Sequence, residues 1–160
     1  AAVASASDQR WSDRLLAAAH AFRAWAVAEP SRYSLLYGSP VPGYAAPPEV
    51  TIEPGTRVIG ILLGLVAEGV TRGDVPDRPA PHDPPEPLAG DLRVVGAEVG
   101  LATDPAVLSR ALLLWATVVG GTSLEVFGQY GADTFRDPRQ AYDQQVRMAL
   151  DVLRGGLDHP

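Results

Sequence analysis

The chain contains no cysteine, so neither a disulfide framework nor a cysteine-based zinc finger can be built from it. It contains no lysine either: all 13 basic residues are arginine, beside 16 glycines and 15 prolines. Positive charge is scarce, and 19 acidic residues leave a net charge of -6. Gripping a phosphate backbone needs a basic stripe, so this piece is not expected to hold nucleic acid itself. Long apolar runs are also missing. The longest, Val58 to Ala67, falls well short of the roughly 20 residues that cross a bilayer. Ala1 to Ser7 lacks the charged and apolar regions of a signal peptide. These absences point to a cytoplasmic domain with no membrane contact.

What is present fits one soluble domain. A chain of 160 residues, 46% hydrophobic and 20% charged, is long enough to bury a full core. The arginine-only basic set, with its Gly, Pro and Ala, points to a GC-rich coding sequence of actinobacterial type. The chain opens at Ala1 in what reads as a loop, so residues 1–8 are expected to be a linker from a missing upstream segment. Residues 9–160 would form the domain.

Apolar residues recur at helical spacing, and no β-type alternation or internal repeat is evident, so the fold class expected is all-α. Ser7 and Asp8 offer caps for a first helix over about Gln9 to Glu29, with Trp11, Leu15, Ala18, Phe22 and Trp25 on one line. Pro30 ends it, and Ser31 can cap a short second helix, Arg32 to Tyr37. Gly38 to Pro54 is a proline-rich loop. Glu53 to Thr56 then opens a third helix to about Arg72, apolar nearly all round and therefore expected to be central and buried. Gly60 and Gly64 share one face of it, either for tight packing against a neighbouring helix or as room for a bound molecule. Gly73 to Pro87 is a second proline-rich connection, with His82 read as a solvated loop histidine. A helix over Leu88 to Leu101 follows, with Leu92, Val95 and Val99 on its apolar side. The last, Arg139 to Arg154, begins after Asp137-Pro138 and stops at Gly155-Gly156.

Between those two lies the stretch Pro105 to Gly131. Thr103 and Asp104 stand as caps before Pro105, and Val107 to Val119 is apolar on nearly every side. Such a helix must touch neighbours on more than one face. Gly120, Gly121 and Gly128 each cost about 1 kcal/mol against alanine in a helix, so close approach of another helix is expected to offset them. The half from Trp115 to Val118 is expected to face the interior of the chain. Gly120 to Gly128 is expected to meet a second copy.

No catalytic constellation stands out. Gly121-Thr122-Ser123-Leu124-Glu125 approaches a nucleophile elbow but has Glu where the second Gly belongs and no strand before it. Gly120 to Ser123 lacks the lysine and the strand–loop–helix context of a phosphate loop. Asp133, Asp137, Asp143 and Asp151 are scattered, and no set of ligands has metal spacing. No enzymatic activity, metal or cofactor is expected. What remains is an inner surface mixing aromatic, apolar and polar side chains, suited to an apolar pocket with a few orienting groups. Its candidate ligand-binding residues are His20, Phe22, Tyr33, Tyr37, Leu62, Trp115, Val118, Val119 and Thr122. The alternative for each is ordinary core filling. Glu125, if buried, needs a partner such as Arg110 or Arg147.

Ala21-Phe22-Arg23-Ala24-Trp25-Ala26, followed by Glu29-Pro30-Ser31-Arg32-Tyr33-Ser34-Leu35-Leu36-Tyr37, resembles the start of the C-terminal domain of many TetR-family transcriptional regulators. Leu114 to Gly120, then Ser123-Leu124-Glu125 and Gly128, resembles the tryptophan–histidine–glycine signature of one subgroup. The subgroup's histidine falls at Val119 here, which removes the imidazole from that position. The resemblance implies a domain of about six helices that binds a small, mainly apolar effector and dimerises through its last two helices as a four-helix bundle. It implies a homodimer seam through Gly121, Leu124, Gly128, Tyr142, Gln145, Met148 and Val152. It also implies a regulator, of repressor type, that meets operator DNA only through an N-terminal helix-turn-helix missing from this chain. Beside this stand two other classes: a stand-alone carrier or helical enzyme for hydrophobic ligands, and a purely structural dimerisation module.

Overall fold

Among the described residues, proline opens four of six helices, where its missing N–H would have no partner in any case. The structure, a computed structural model, describes residues 10–39, 48–78 and 82–155, with side chains throughout these except at 48–55. In chain order the helices are α1 Trp11–Ala28, α2 Pro30–Tyr37, α3 Pro48–Arg72, α4 Leu88–Glu98, α5 Pro105–Val126 and α6 Pro138–Leu153. No strand occurs among the described residues. Residues 1–8, Gly156 and the caps foreseen at Ser7 and Asp8 lie outside them.

Several boundaries move, each for a local reason. Pro30 does more than end α1: it is the first residue of α2, which takes Ser31 into its first turn. α3 begins at Pro48 rather than near Glu53, so Pro54 lies inside it, where it lacks an N–H to donate without stopping the helix. α4 closes at Glu98, not Leu101, as the Leu101 N–H turns back to the Gly96 carbonyl at 2.8 Å. Asp104 caps α5 by accepting from the Ala106 N–H at 2.8 Å, and Asp137 caps α6 through the Arg139 N–H at 3.0 Å.

The central helix is α5, which packs on α6 most extensively and also on α1, α3 and α4. Its buried side carries Val107, Leu108, Ala111, Leu114 and Val118, while Leu112, Leu113 and Leu124 are exposed. By length and composition it is the one helix among the described residues apolar enough to cross a membrane, although much of it is buried here against other helices. α1 buries Trp11, Leu15, Ala19, Phe22 and Ala26, with Ala18 and Trp25 at the edge of that line. Each fully buried side chain of leucine or phenylalanine size contributes about 1.5–3 kcal/mol. α3 differs from expectation. It buries Leu62, Leu63, Leu65 and Val66, but Ile61 is exposed and nothing stands near Gly60 or Gly64. That glycine face is therefore not a tight helix crossing within this chain.

The α5 glycines separate into different roles. Gly128 lies past the helix end at φ +67°, with the Gln129 N–H reaching the Leu124 carbonyl at 2.8 Å, so it is a helix stop. Gly121 is a close approach, but to α6 of the same chain: a Cβ there would sit 2.8 Å from Gln145 Oε1 and 3.2 Å from Tyr142 Cδ2. Gly120 faces open space.

Candidate functional site

Between α1, α3 and α5 the side chains fail to fill the interior. A cavity of about 310 Å³ remains, and every side chain on its described wall is apolar. Its α1 wall explains the space. Ala18, Ala19 and Ala21 occupy positions where leucine would close it. Leu15, Leu65 and Val118 form the buried floor, and Phe22, Trp25 and Trp115 give an aromatic wall. Phe22 lies 6.0 Å from Trp25 and 5.9 Å from Trp115 between ring centroids, both pairs tilted. Ala21 and Ile61, both exposed, stand at the solvent side, so the mouth opens between α1 and α3.

The residues predicted to bind ligand divide accordingly. Phe22, Leu62, Trp115 and Val118 line this cavity. His20, Tyr33, Tyr37, Val119 and Thr122 do not, and each makes another contact. His20 Nε2 meets Asp143 Oδ1 at 2.8 Å. The Tyr33 hydroxyl pairs with Ser123 Oγ at 2.6 Å and reaches the Val119 carbonyl at 3.3 Å. Tyr37 stacks on Tyr33 at 5.0 Å and meets Phe22 edge-on at 5.4 Å. Thr122 donates to the Val118 carbonyl one turn back. Sequence reasoning missed Leu15, Ala18, Ala19, Ala21, Val58, Ile61 and Leu65 as wall residues, while Trp25, an aromatic of the inner surface, does line it. The run of alanines on an otherwise large-residue helix was the available signal.

A polar layer adjoins the cavity along α5. Arg23 grips Glu125 with two hydrogen bonds, Nε to Oε2 at 2.6 Å and Nη2 to Oε1, with side chains only 13% and 15% exposed. The partner of Glu125 is thus neither Arg110 nor Arg147. Arg110 donates to the Pro76 carbonyl at 2.8 Å, and its burial pulls its pKa down. Arg147 pairs with Asp143 at 2.6 Å; that bond, then the one to His20, holds the Asp143 carboxyl below the usual carboxylate range. Burial raises the pKa of Tyr33 despite its bond to Ser123. It pushes Tyr142 up to about 12, with that hydroxyl donating to the Ala19 carbonyl at 2.9 Å.

The residues expected at a dimer seam are divided between α5 and its C-terminal end (Gly121, Leu124, Gly128) and α6 (Tyr142, Gln145, Met148, Val152). Tyr142 is buried in its own chain and Gly121 is covered by it, while Gly128 ends the helix. Leu124 and Met148 are exposed, and Gln145 and Val152 half-buried. Together with Leu113 and Thr117, the side chains of Gln145, Met148 and Val152 border a groove of about 590 Å³ between α5 and α6.

Among the described residues, six helices leave an apolar cavity on one side of α5 and an exposed groove between α5 and α6. The chain belongs to the tetracyclin repressor-like C-terminal domain family, whose model matches residues 15–149. Among its relatives are HTH-type transcriptional regulators of Mycobacterium tuberculosis and Mycobacterium bovis, each 47% identical over 143 residues. That match covers 89% of this chain, and the chain spans about 60% of the length of these relatives. The family is one of regulators, not enzymes.

Proposed function

We propose that this chain is the effector-binding and dimerisation portion of a cytoplasmic TetR-type repressor. Binding of a small, mainly apolar molecule in the α1–α3–α5 cavity would release operator DNA held by a separate helix-turn-helix. The observation that carries this reading is the cavity itself: it is open at one side, and an apolar hollow of this size leaves its hydrophobic wall against water unless something occupies it. An occupant wedged between α1 and α3 would tilt α1, whose first turn lies nearest the preceding residues. Coupling of about 1–3 kcal/mol is the usual scale for such linkage. The names of the relatives support the DNA-binding part, and their mycobacterial origin supports an actinobacterial source.

Self-association would run through the exposed α5–α6 face, with Leu113, Leu124, Met148 and Val152 at its centre. Gly121 and Tyr142 would support that face from below rather than touch the partner. The test is thermal unfolding against a diverse apolar library, paired with sedimentation. A ligand present at 100 times its Kd contributes about 2.7 kcal/mol, a rise of ~5–10 °C in Tm for a chain of this size. A dimer with no stabilising compound would leave a structural module and remove the effector reading.

A further inference from the structure

The wall of the cavity carries more information than its existence. We infer that the effector is an uncharged, hydrogen-bond-poor aromatic molecule of about two fused rings, held by shape and ring contacts, with no charged or hydrogen-bond-accepting side chain on the described wall. This rests on the effector reading above and narrows its ligand class.

Size comes first. A cavity of about 150 Å³ lined by aliphatic and aromatic groups takes one benzene. The present 310 Å³ is about twice that, room for a naphthalene-sized body. Chemistry comes second. Leu15, Ala19, Leu65 and Val118 at the floor offer no donor or acceptor, the indole N–H groups of Trp25 and Trp115 are the only polar atoms carried by its described wall side chains, and three nearby polar side chains are already engaged. Tyr33 is taken by Ser123, Glu125 by Arg23, and His20 by Asp143. No buried side-chain polar atom among the described residues lacks a partner and waits for a ligand. A polar atom driven to the floor would give up its water for nothing, and a charge more so. Shape comes third. Phe22 is tilted to Trp25 and to Trp115 rather than stacked on either, which leaves ring faces and edges for an aromatic guest. Ile61 explains the mouth: it lines the cavity and yet is 61% exposed, so a bound body would cover it. A single polar substituent is tolerated there and nowhere deeper.

The experiment titrates the purified chain with naphthalene, 2-naphthol and naphthalene-1,5-disulfonate, reading Tm and the fluorescence of the wall tryptophans. Two wall-filling variants are titrated alongside, Ala18→Leu inside the cavity and Ala21→Trp at its exposed mouth. Naphthalene is expected to raise Tm and alter the emission saturably. The disulfonate, which cannot keep both charges at the mouth, is expected to bind at least ~100-fold more weakly. 2-Naphthol is expected within about tenfold of naphthalene, its hydroxyl turned to the mouth. Each variant should lose the naphthalene response, and Ala21→Trp keeps the test valid if Ala18→Leu folds poorly. Equal or tighter binding of the disulfonate, abolished by the same variants, would overturn the ligand class and leave the effector site standing. Absence of a response to all three compounds, with a diverse library also silent, would overturn both.

Discussion

Arg23 on α1 and Glu125 on α5 face each other through two hydrogen bonds across 102 residues of sequence, nearly out of contact with water. The Arg23 guanidinium also lies 5.8 Å from the centre of the Tyr142 ring. This pair closes the polar end of the helix interface that the cavity interrupts further along. Its geometry fixes how α1 meets α5, and so fixes two walls of the cavity at once.

Removing either partner strands a largely buried charge. Arg23→Met or Glu125→Leu alone should cost about 3–5 kcal/mol, while the double substitution should cost distinctly less than the sum. Urea unfolding of the four proteins measures this cycle. Additive losses would mean that the two side chains do not depend on each other.

The dimer proposal is tested away from the glycines. Leu113→Glu with Met148→Glu should convert a dimer to a monomer in sedimentation while leaving helicity intact, because both side chains are about half exposed in the single chain. Gly121→Leu is a different experiment. Its side chain would collide with Gln145 and Tyr142 of the same chain, so it should lower stability before it alters assembly. An unchanged dimer in the Leu113/Met148 double variant would move the seam elsewhere.

Trp115→Ala should enlarge the cavity and cost about 3–5 kcal/mol. Its effect on ligand affinity should exceed its effect on dimer dissociation, since Trp115 lines the α1–α3–α5 cavity and is not among the residues bordering the α5–α6 groove. Parallel titration and sedimentation separate the two, and equal losses would place Trp115 at both surfaces.

Alkali should unfold this domain through Tyr142. Its pKa is pushed up to about 12 chiefly by burial, against about 10 in an unfolded chain. The buried neutral hydroxyl therefore contributes stability that is fully present below pH 10 and lost as pH rises toward 12. The slope is at most ~1.4 kcal/mol per pH unit from this group. Tyr142→Phe should flatten that part of the curve in pH-dependent urea unfolding. An unchanged slope would show that Tyr142 is not the group responsible.

The helices were legible because their periodicity and punctuation are local. Asp104-Pro105 and Asp137-Pro138 mark the starts of α5 and α6, and Trp11, Leu15 and Phe22 mark the buried side of α1. Pro30 and Pro48 misled because a proline that bars one helix from continuing is also well suited to begin the next. The site was less legible. Phe22, Leu62, Trp115 and Val118 reach the cavity, but Tyr33 and His20 look equally suitable in sequence and are engaged elsewhere. Apolar residues facing their own core and those facing a partner have the same chemistry, so Gly121 and Tyr142 were assigned outward although they pack against each other within the chain. The pairing of Glu125 with Arg23 depends on how α1 crosses α5, which no local pattern encodes. The cavity is a deficit of volume, visible only once the alanines of α1 are set against α3.

The most direct test of the effector site is a nuclear Overhauser measurement on the chain saturated with naphthalene. Cross-peaks are expected from the ligand ring protons to the methyls of Leu62 and Val118 and to the rings of Phe22 and Trp115. Saturable binding with cross-peaks confined to Leu113, Met148 and Val152 on the α5–α6 face would contradict the account.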